Sequence, residues 1–263
     1  MTNAGVVFFH IPKTAGTSLH LLLIENFAAD AICPIRDNKL GEMSMEDLQK
    51  YRLFSGHYYF DQVERIPEPK VLLTILREPM ARLRSLYDYQ RSFRWDAIAQ
   101  LEAAGARMVR MAKTLSFLEY LRCADPLART AVNNSMLRQL IGEKYNSPEG
   151  NLRLPDDAAL HLAVTNLERF DAIGFADSAN ASLHRFEEVL GLRFPESMPC
   201  HNTLESLEGD PRFEKVERTA LTEATTAELL RNTELDRKIY DYAVSRFKPF
   251  LRAGCEARPD GKI

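Results

Sequence analysis

The sequence contains no apolar run long enough to cross a membrane. Near the N-terminus the longest apolar stretch is residues 21–24, whereas a spanning helix needs ~20 residues. The first residues carry no basic segment, and the apolar run at residues 6–9 is too short for the core of a signal peptide. These features predict a soluble, cytoplasmic protein without a transmembrane segment.

Cysteine is scarce, and an excess of basic residues is absent. The cysteines form no C-x-x-C pair and lack the spacing of metal ligands; they are Cys33, Cys123, Cys200 and Cys255. Structural disulfides are therefore not expected, which fits a reducing compartment. The net charge is −3, whereas a general nucleic-acid binder carries a basic excess, so no nucleic-acid partner is expected.

The chain also lacks internal repeats and low-complexity linkers. At roughly 150 residues per domain, its 263 residues fit one large domain or two small ones. The unbroken pattern favours a single domain over residues 1–263, with a core over about residues 6–247. Residues 252–263 are expected to form a frayed tail.

Strands and helices alternate along the chain. Continuous apolar runs predict buried strands at residues 6–10, 53–56, 70–76 and 172–175. Helical patterns follow them, including a largely helical region at residues 96–140 that would form an insertion or cover, a helix that stops at Gly191, and two C-terminal helices ending near residue 247. This order predicts an α/β fold with a doubly wound parallel sheet flanked by helices. In such sheets ligands bind beyond the carboxyl ends of the strands.

The first strand leads through a short loop, residues 10–18, into a helix that Thr17 or Ser18 would cap. A strand–loop–helix junction directs backbone N–H groups and the positive end of the helix dipole at one point, which favours an anion. Lys13 adds a charge, and Gly16 permits close approach of the backbone. The loop is not a Walker A motif, because Lys13 precedes the glycine instead of following it. A lysine in an ordinary solvent-exposed turn is the alternative.

The third strand ends in a second candidate anion site. Arg77 comes directly after the strand, Pro79 begins the next helix, and Ser85 lies about two turns into that helix. Arginine binds phosphate through a two-pronged contact that a serine hydroxyl can complete. A simple salt bridge between Arg77 and Glu78 or another neighbour is the alternative.

Together, residues 9–18 and residues 76–79 with Ser85 resemble two motifs of the sulfotransferases that use 3′-phosphoadenosine 5′-phosphosulfate (PAPS). These are the phosphosulfate-binding loop and the 3′-phosphate-binding motif, in the branch that includes the heparan sulfate O-sulfotransferases and many bacterial members. Looser similarity extends through residues 172–175, 201–203 and 235–240. The resemblance implies a P-loop-like α/β fold.

The resemblance also implies roles for individual residues. Lys13 would stabilise the leaving phosphate, and Arg77 with Ser85 would bind the 3′-phosphate. The rest of the donor site would comprise Thr14, Ala15, Gly16, Thr17, Ser18, His201, Asn202 and Thr203. PAPS would be the donor, 3′-phosphoadenosine 5′-phosphate (PAP) the product, and no metal is expected.

The acceptor hydroxyl or amine requires a general base. His57 follows the second strand and should therefore reach the same edge of the sheet as Lys13. A Gly-His pair here is similar to the place where this sulfotransferase branch keeps its catalytic histidine, and an ordinary pKa near 6.5 suits proton removal. A hydrogen-bonded structural histidine is the alternative. His10 is expected to support the site indirectly. His20 and His184 are expected to be packing or surface residues.

Residues 82–113 carry seven basic side chains against three acidic ones and include the only tryptophan. Trp95, Arg91 and Arg94 are therefore candidates for an acceptor site that takes anionic or sugar-like molecules. A solvated helix face is the competing interpretation.

Two other functions remain open at this stage: a P-loop nucleotide kinase or NTPase, and a non-catalytic protein that binds the nucleotide. The acceptor could be a small alcohol, a lipid, a glycan or a carrier-bound intermediate. The sequence predicts no oligomeric state.

Overall fold

A computed structural model describes residues 4–101, 103–199 and 203–253. The four expected strands are present: β1 (Gly5–Phe9), β2 (Leu53–Gly56), β3 (Lys70–Leu76) and β4 (Ala172–Phe175). They form one all-parallel sheet in the order β2-β1-β3-β4. Its register pairs Phe8 with Ser55 on one side and with Leu73 on the other. The predicted α/β class is therefore confirmed.

Helices cover both faces of the sheet. The described residues form α1 (Gly16–Ile24), α2 (Met45–Leu48), α3 (Phe60–Val63), α4 (Pro79–Arg91), α5 (Ala103–Thr114), α6 (Phe117–Leu121), α7 (Pro126–Val132), α8 (Ser135–Ile141), α9 (Asp156–Leu167), α10 (Ala179–Leu190), α11 (Glu223–Asn232) and α12 (Glu234–Ala253). No helix in these ranges is long and apolar enough to cross a membrane.

Alternate residues of each strand contribute to two separate cores. Val6 and Phe8 pack with α1 and α10, whereas Val7 and Phe9 pack with α3, α8, α9 and α12. Successive side chains of a strand point to opposite faces, so a strand with helices on both faces needs apolar residues at every position. This requirement explains the continuous apolar runs in the sequence.

Reciprocal hydrogen bonds between buried groups attach the helical region between β3 and β4 to the sheet layer. Asp236 of α12 accepts hydrogen bonds from the first N–H groups of α8, at Met136 (3.2 Å) and Leu137 (2.8 Å). Asn134, just before α8, accepts hydrogen bonds from Leu235 (2.9 Å) and Asp236 (3.2 Å) at the start of α12. Each helix thus satisfies N–H groups that the other helix leaves unpaired.

Two helix boundaries differ from the sequence-based expectation. No side chain caps α1: Ala15 occupies the capping position in the left-handed conformation (φ 70°), and Thr17 lies inside the helix. A tight loop brings the chain into the helix here, so its geometry replaces a side-chain cap. The last helix continues to Ala253 instead of ending near residue 247, and residues 254–263 lie outside the described part. Gly191 ends α10 in the left-handed conformation (φ 64°), as predicted.

Candidate functional site

A cleft of about 640 Å³ opens at the carboxyl end of the sheet. Residues that follow each strand line it: Lys13 after β1, His57 after β2, Arg77 after β3 and Asp177 after β4. The chain leaves β1 towards β2 on one side and later returns to add β3 on the other side. Such a reversal of strand order leaves a crevice between the diverging loops, the usual ligand position in this type of sheet.

The loop after β1 is tightly folded. Lys13 and Ala15 both adopt the left-handed conformation, with φ of 67° and 70°. The buried Thr14 hydroxyl donates a hydrogen bond to the carbonyl of Ile11 (2.8 Å), which closes the turn. The loop then enters α1 at Gly16, so the N–H groups at the start of this helix lie at the cleft wall. This arrangement favours an anion.

Gly16 is required by the position of His10. A Cβ atom on Gly16 would lie 2.1 Å from the Cδ2 atom of the imidazole, far inside van der Waals contact. The imidazole cannot easily move away, because it is buried, stacks on Phe8 (5.3 Å between ring centroids) and contacts the ring of His57 (4.2 Å). Burial, followed by the charge of His57, lowers the pKa of His10 well below its usual value. His10 is therefore neutral at pH 7.

Lys13 is held beneath an aromatic ring. Its Nζ atom lies 3.9 Å from the ring centroid of Tyr89, a residue of α4 that also lines the cleft. Burial and the nearby charge of Arg77 lower the pKa of Lys13 to about 7. A bound anion would raise the pKa of Lys13 again and so favour its charged form.

Arg77 connects the two predicted motifs. Its Nη1 atom donates a hydrogen bond to the carbonyl oxygen of Lys13 (3.2 Å). Ser85, two turns along α4, faces the same cleft, as does the exposed Arg218. Burial and the charges of Arg218 and Arg82 lower the pKa of Arg77. Two neighbouring guanidinium groups at one end of a cleft repel each other, and a multiply charged anion would relieve this repulsion.

The segment that carries Arg218 is attached to α4 on both sides of this residue. The buried Asp88 carboxylate accepts hydrogen bonds from the Thr219 hydroxyl (2.5 Å) and from the Thr219 N–H (3.2 Å). Arg91 donates hydrogen bonds to Asp88 (3.1 Å) and to the carbonyl of Glu217. We call residues 211–222 the strap. Its attachments on either side of Arg218 determine where this arginine enters the cleft.

The orientation of His57 is determined by a single backbone acceptor. Its Nδ1 atom lies 2.8 Å from the carbonyl oxygen of His10, and because a carbonyl can only accept, Nδ1 carries the proton. Gln139 of α8 donates to the same carbonyl (3.0 Å). This hydrogen bond leaves Nε2 of the neutral ring with a free lone pair, as a general base requires. Desolvation among the surrounding cleft atoms lowers the pKa of His57, the His10 hydrogen bond opposes this effect, and the charge of Arg36 adds to it.

His20 is a buried packing residue, as expected. Its Nδ1 atom lies 2.8 Å from the hydroxyl of Ser55 on β2. Burial and the charge of Arg36 lower the pKa of His20 to about 4, so this ring is neutral at physiological pH. His184 pairs with Glu187 (3.1 Å) on the surface of α10.

The structure brings most of the predicted site residues to the cleft. Those that line it are Lys13, Ala15, Gly16, Thr17, Ser18, His57, Arg77, Ser85 and Thr203. Thr14 is a buried residue of the loop, and His201 and Asn202 lie outside the described residues.

None of the three acceptor candidates is among the described residues that line the cleft. Arg91 binds Asp88 and the strap, and Arg94 pairs with Asp96 (3.4 Å). Trp95 is 57% exposed, with the ammonium group of Lys113 5.3 Å from its ring.

Sequence reasoning missed Tyr89 and Arg218 in the cleft lining, and Gln139 and Arg36, which contact the backbone of His10 and His57. Only Tyr89 had a usable signal, because it follows Ser85 by four positions in a helix and therefore shares its face. Gln139 and Arg218 reach the site from distant parts of the chain, without any motif.

Among residues 4–101, 103–199 and 203–253, no group of three His, Cys, Asp or Glu side chains is arranged to hold a metal ion. Comparison with protein-family models finds no match to this chain, and comparison with curated proteins finds none either.

Proposed function

We propose that this protein is a sulfotransferase that moves a sulfuryl group from PAPS to a hydroxyl or amine acceptor. The observation that carries the proposal is the convergence of two motifs on one cleft. Lys13 in the β1 loop and Arg77 after β3 are joined by a hydrogen bond although 64 residues separate them in the chain. A lysine and an arginine placed this way suit a ligand with separated phosphate groups.

The size and charge of the cleft support a nucleotide of this kind. Its volume of about 640 Å³ falls within the roughly 300–1,000 Å³ typical of small-molecule sites. Lys13 and the start of α1 supply positive potential, and so do Arg77 and Arg218. The loop would hold the 5′-phosphate, while Arg77, Arg218 and Ser85 would hold the 3′-phosphate.

The order of the strands supports an in-line displacement. His57 after β2 lies next to the β1 loop, and Arg77 after β3 lies on its other side. When bound, the donor supplies an activated sulfuryl group whose bond to the phosphate oxygen breaks as the bond to the acceptor oxygen forms. His57 Nε2 would take the acceptor proton from one side, and Lys13 would stabilise the electron pair left on the phosphate oxygen from the other.

Nucleotide binding tests the proposal without knowledge of the acceptor. The purified protein is titrated calorimetrically with PAP, with adenosine 5′-phosphate, and with ATP plus Mg²⁺. We expect PAP to bind without metal and at least about tenfold more tightly than adenosine 5′-phosphate, since one charge-assisted phosphate contact is worth ~1.5–3 kcal/mol. If ATP with Mg²⁺ binds and the other two nucleotides do not, the protein is better explained as a kinase. If none of the three binds, the proposal is overturned.

Turnover separates an enzyme from a non-catalytic nucleotide binder. Release of PAP from PAPS is measured with a panel of alcohols, phenols, sugars and amines, and the product is checked for its sulfate by mass spectrometry. Acceptor-dependent release is expected for the intact protein. Tight PAP binding with no release across the panel and in cell extract would indicate a binding protein.

A further inference from the structure

Arg36 lies beside the proposed base, outside both predicted motifs. The backbone N–H of His57 donates a hydrogen bond to the carbonyl of Arg36 (2.7 Å). A Cβ atom on Gly56 would lie 2.5 Å from the Arg36 backbone, so only glycine allows this close approach. Arg36 and His57 are both exposed. Arg36 and His57 are therefore backbone neighbours at the end of β2.

The charge of Arg36 has no carboxylate partner among the described residues. Its Nε atom donates to the carbonyl of Ser55 (3.2 Å), which anchors the group. The adjacent Asp37 pairs instead with Lys39. Its carboxylate lies 3.9 Å from the ammonium nitrogen of Lys39 and accepts a hydrogen bond from the Lys39 backbone N–H (3.0 Å). The guanidinium is therefore anchored at one nitrogen and forms no ion pair with a described carboxylate.

A cation at this position that Asp37 only partly offsets opposes the function of the base. The charged and titratable groups that act on His57 are His10 after β1, His20 on α1, and Arg36 and Asp37 in the loop before β2. Both neighbouring histidines are held neutral, and Asp37 raises the pKa of His57 while Arg36 lowers it. Arg36 is thus the permanent positive charge beside the imidazole, and it disfavours proton acceptance.

We propose that Arg36 binds an anionic group of the acceptor, next to the hydroxyl that His57 deprotonates. The inference rests on the proposed sulfotransferase function and names its acceptor class: a hydroxyl compound that also carries a carboxylate, sulfate or phosphate. A planar guanidinium matches the two oxygens of such a group. Once bound, the anion neutralises Arg36 and makes His57 a stronger base, so an acceptor without an anion meets a weaker base.

The experiment measures the pKa of His57 by NMR in protein saturated with PAP, which occupies the Lys13 and Arg77 sites. Acetate is the probe anion, and acetamide is its neutral control. We expect acetate to raise the pKa of His57 by roughly 0.5–1 unit, as removal of a nearby like charge does. Acetamide should leave the pKa unchanged.

Two variants test whether acetate changes the pKa of His57 by binding to Arg36. In Arg36→Gln the pKa of His57 should already be raised before acetate is added and should no longer respond to it. Arg110→Gln, on the outer helix α5, is the matched control and should behave as the unmodified protein. An unchanged pKa with acetate, or an equal shift in Arg36→Gln, would overturn the Arg36 site while leaving the sulfotransferase proposal intact. Failure of PAP to bind would contradict the sulfotransferase proposal itself and is seen before acetate is added.

Discussion

Arg77 donates a hydrogen bond from Nη1 to the carbonyl oxygen of Lys13, 3.2 Å away. The acceptor belongs to a residue in the left-handed conformation, whose carbonyl direction depends on that unusual backbone geometry. The side chain after β3 therefore helps to hold the loop after β1. Loss of Arg77 would remove an anion contact and also one constraint on the position of Lys13.

Replacement of Arg77 tests the proposed contact with the 3′-phosphate. We expect Arg77→Gln to weaken PAP binding by about 10- to 100-fold, since a charge-assisted hydrogen bond contributes ~1.5–3 kcal/mol. Binding of adenosine 5′-phosphate, which lacks the 3′-phosphate, should change much less. Calorimetry of both nucleotides measures the difference, with Arg94→Gln as a control away from the cleft. An equal loss for the two nucleotides would assign Arg77 to loop structure alone.

Gly16→Ala tests the close packing of the loop against His10. The new methyl group would overlap a ring that is already confined by Phe8 and His57, so the loop or the ring must shift. We expect a loss of about 1–3 kcal/mol in the free energy of unfolding, as is usual for overpacking, together with weaker PAP binding. Gly5→Ala, in β1, is the matched control, because its nearest contact is 3.8 Å. Denaturant unfolding that gives equal stability for both variants would contradict the proposed steric requirement.

The lowered pKa of Lys13 predicts that nucleotide binding is coupled to proton uptake. Its pKa of about 7 should rise when phosphate groups bind beside it. Above pH 7 binding therefore takes up a proton, and affinity for PAP should fall as the pH rises, by at most about tenfold per pH unit. Calorimetry at pH 8 in two buffers with different ionisation enthalpies measures the uptake.

The uptake should disappear in Lys13→Met and persist in Lys238→Met, whose lysine lies on the exposed side of α12 and pairs with Glu234. Proton uptake of equal size in Lys13→Met would mean that another group titrates. Lys13→Met should reduce turnover more than PAP affinity, because charge develops on the leaving oxygen during the reaction.

Replacement of Thr219 tests whether the strap positions Arg218. Thr219→Val keeps the shape of the side chain and removes the hydroxyl that binds Asp88. We expect the preference for PAP over adenosine 5′-phosphate to fall about three- to tenfold, consistent with a net hydrogen-bond contribution of ~0.5–1.5 kcal/mol. Thr130→Val is the control, because that hydroxyl bonds only within α7, to the carbonyl of Pro126. If Thr219→Val combined with Arg218→Gln weakens binding further than Arg218→Gln alone, Thr219 does not act through Arg218.

The sequence allowed the strands and the residues that follow them to be predicted for one physical reason. A strand covered on both faces is apolar at each position, and the runs at residues 53–56, 70–76 and 172–175 coincide with β2, β3 and β4. Parallel strands share one carboxyl edge, so Lys13, His57 and Arg77 could be assigned to the same edge from their order alone.

The remaining site residues depend on contacts between distant parts of the chain. Gln139 meets the carbonyl of His10 from 129 positions away, and Asp88 binds Thr219 from 131 positions away. Local patterns carry no information about such pairs. Charge composition drew attention to residues 82–113, yet within this region the fully buried Arg82 donates a hydrogen bond to Ser135 and Arg91 attaches the strap. A count of basic residues does not separate structural arginines from those that face a ligand.

His57 provides the sharpest test of the catalytic proposal, because binding and turnover should separate there. Its contact with His10 runs through Nδ1, which leaves Nε2 to accept a proton. His57→Ala should keep PAP affinity within about twofold while turnover with an identified acceptor falls ~10²–10⁴-fold, the usual contribution of a general base. His184→Ala, on the surface of α10, is the control and should retain both properties. Retained turnover in His57→Ala would place the base elsewhere, whereas loss of PAP binding would mean that the ring mainly supports His10 and the loop. The neutral tautomer gives an independent readout: nitrogen NMR of the intact protein should find the proton on Nδ1, and a proton on Nε2 would remove His57 as a base.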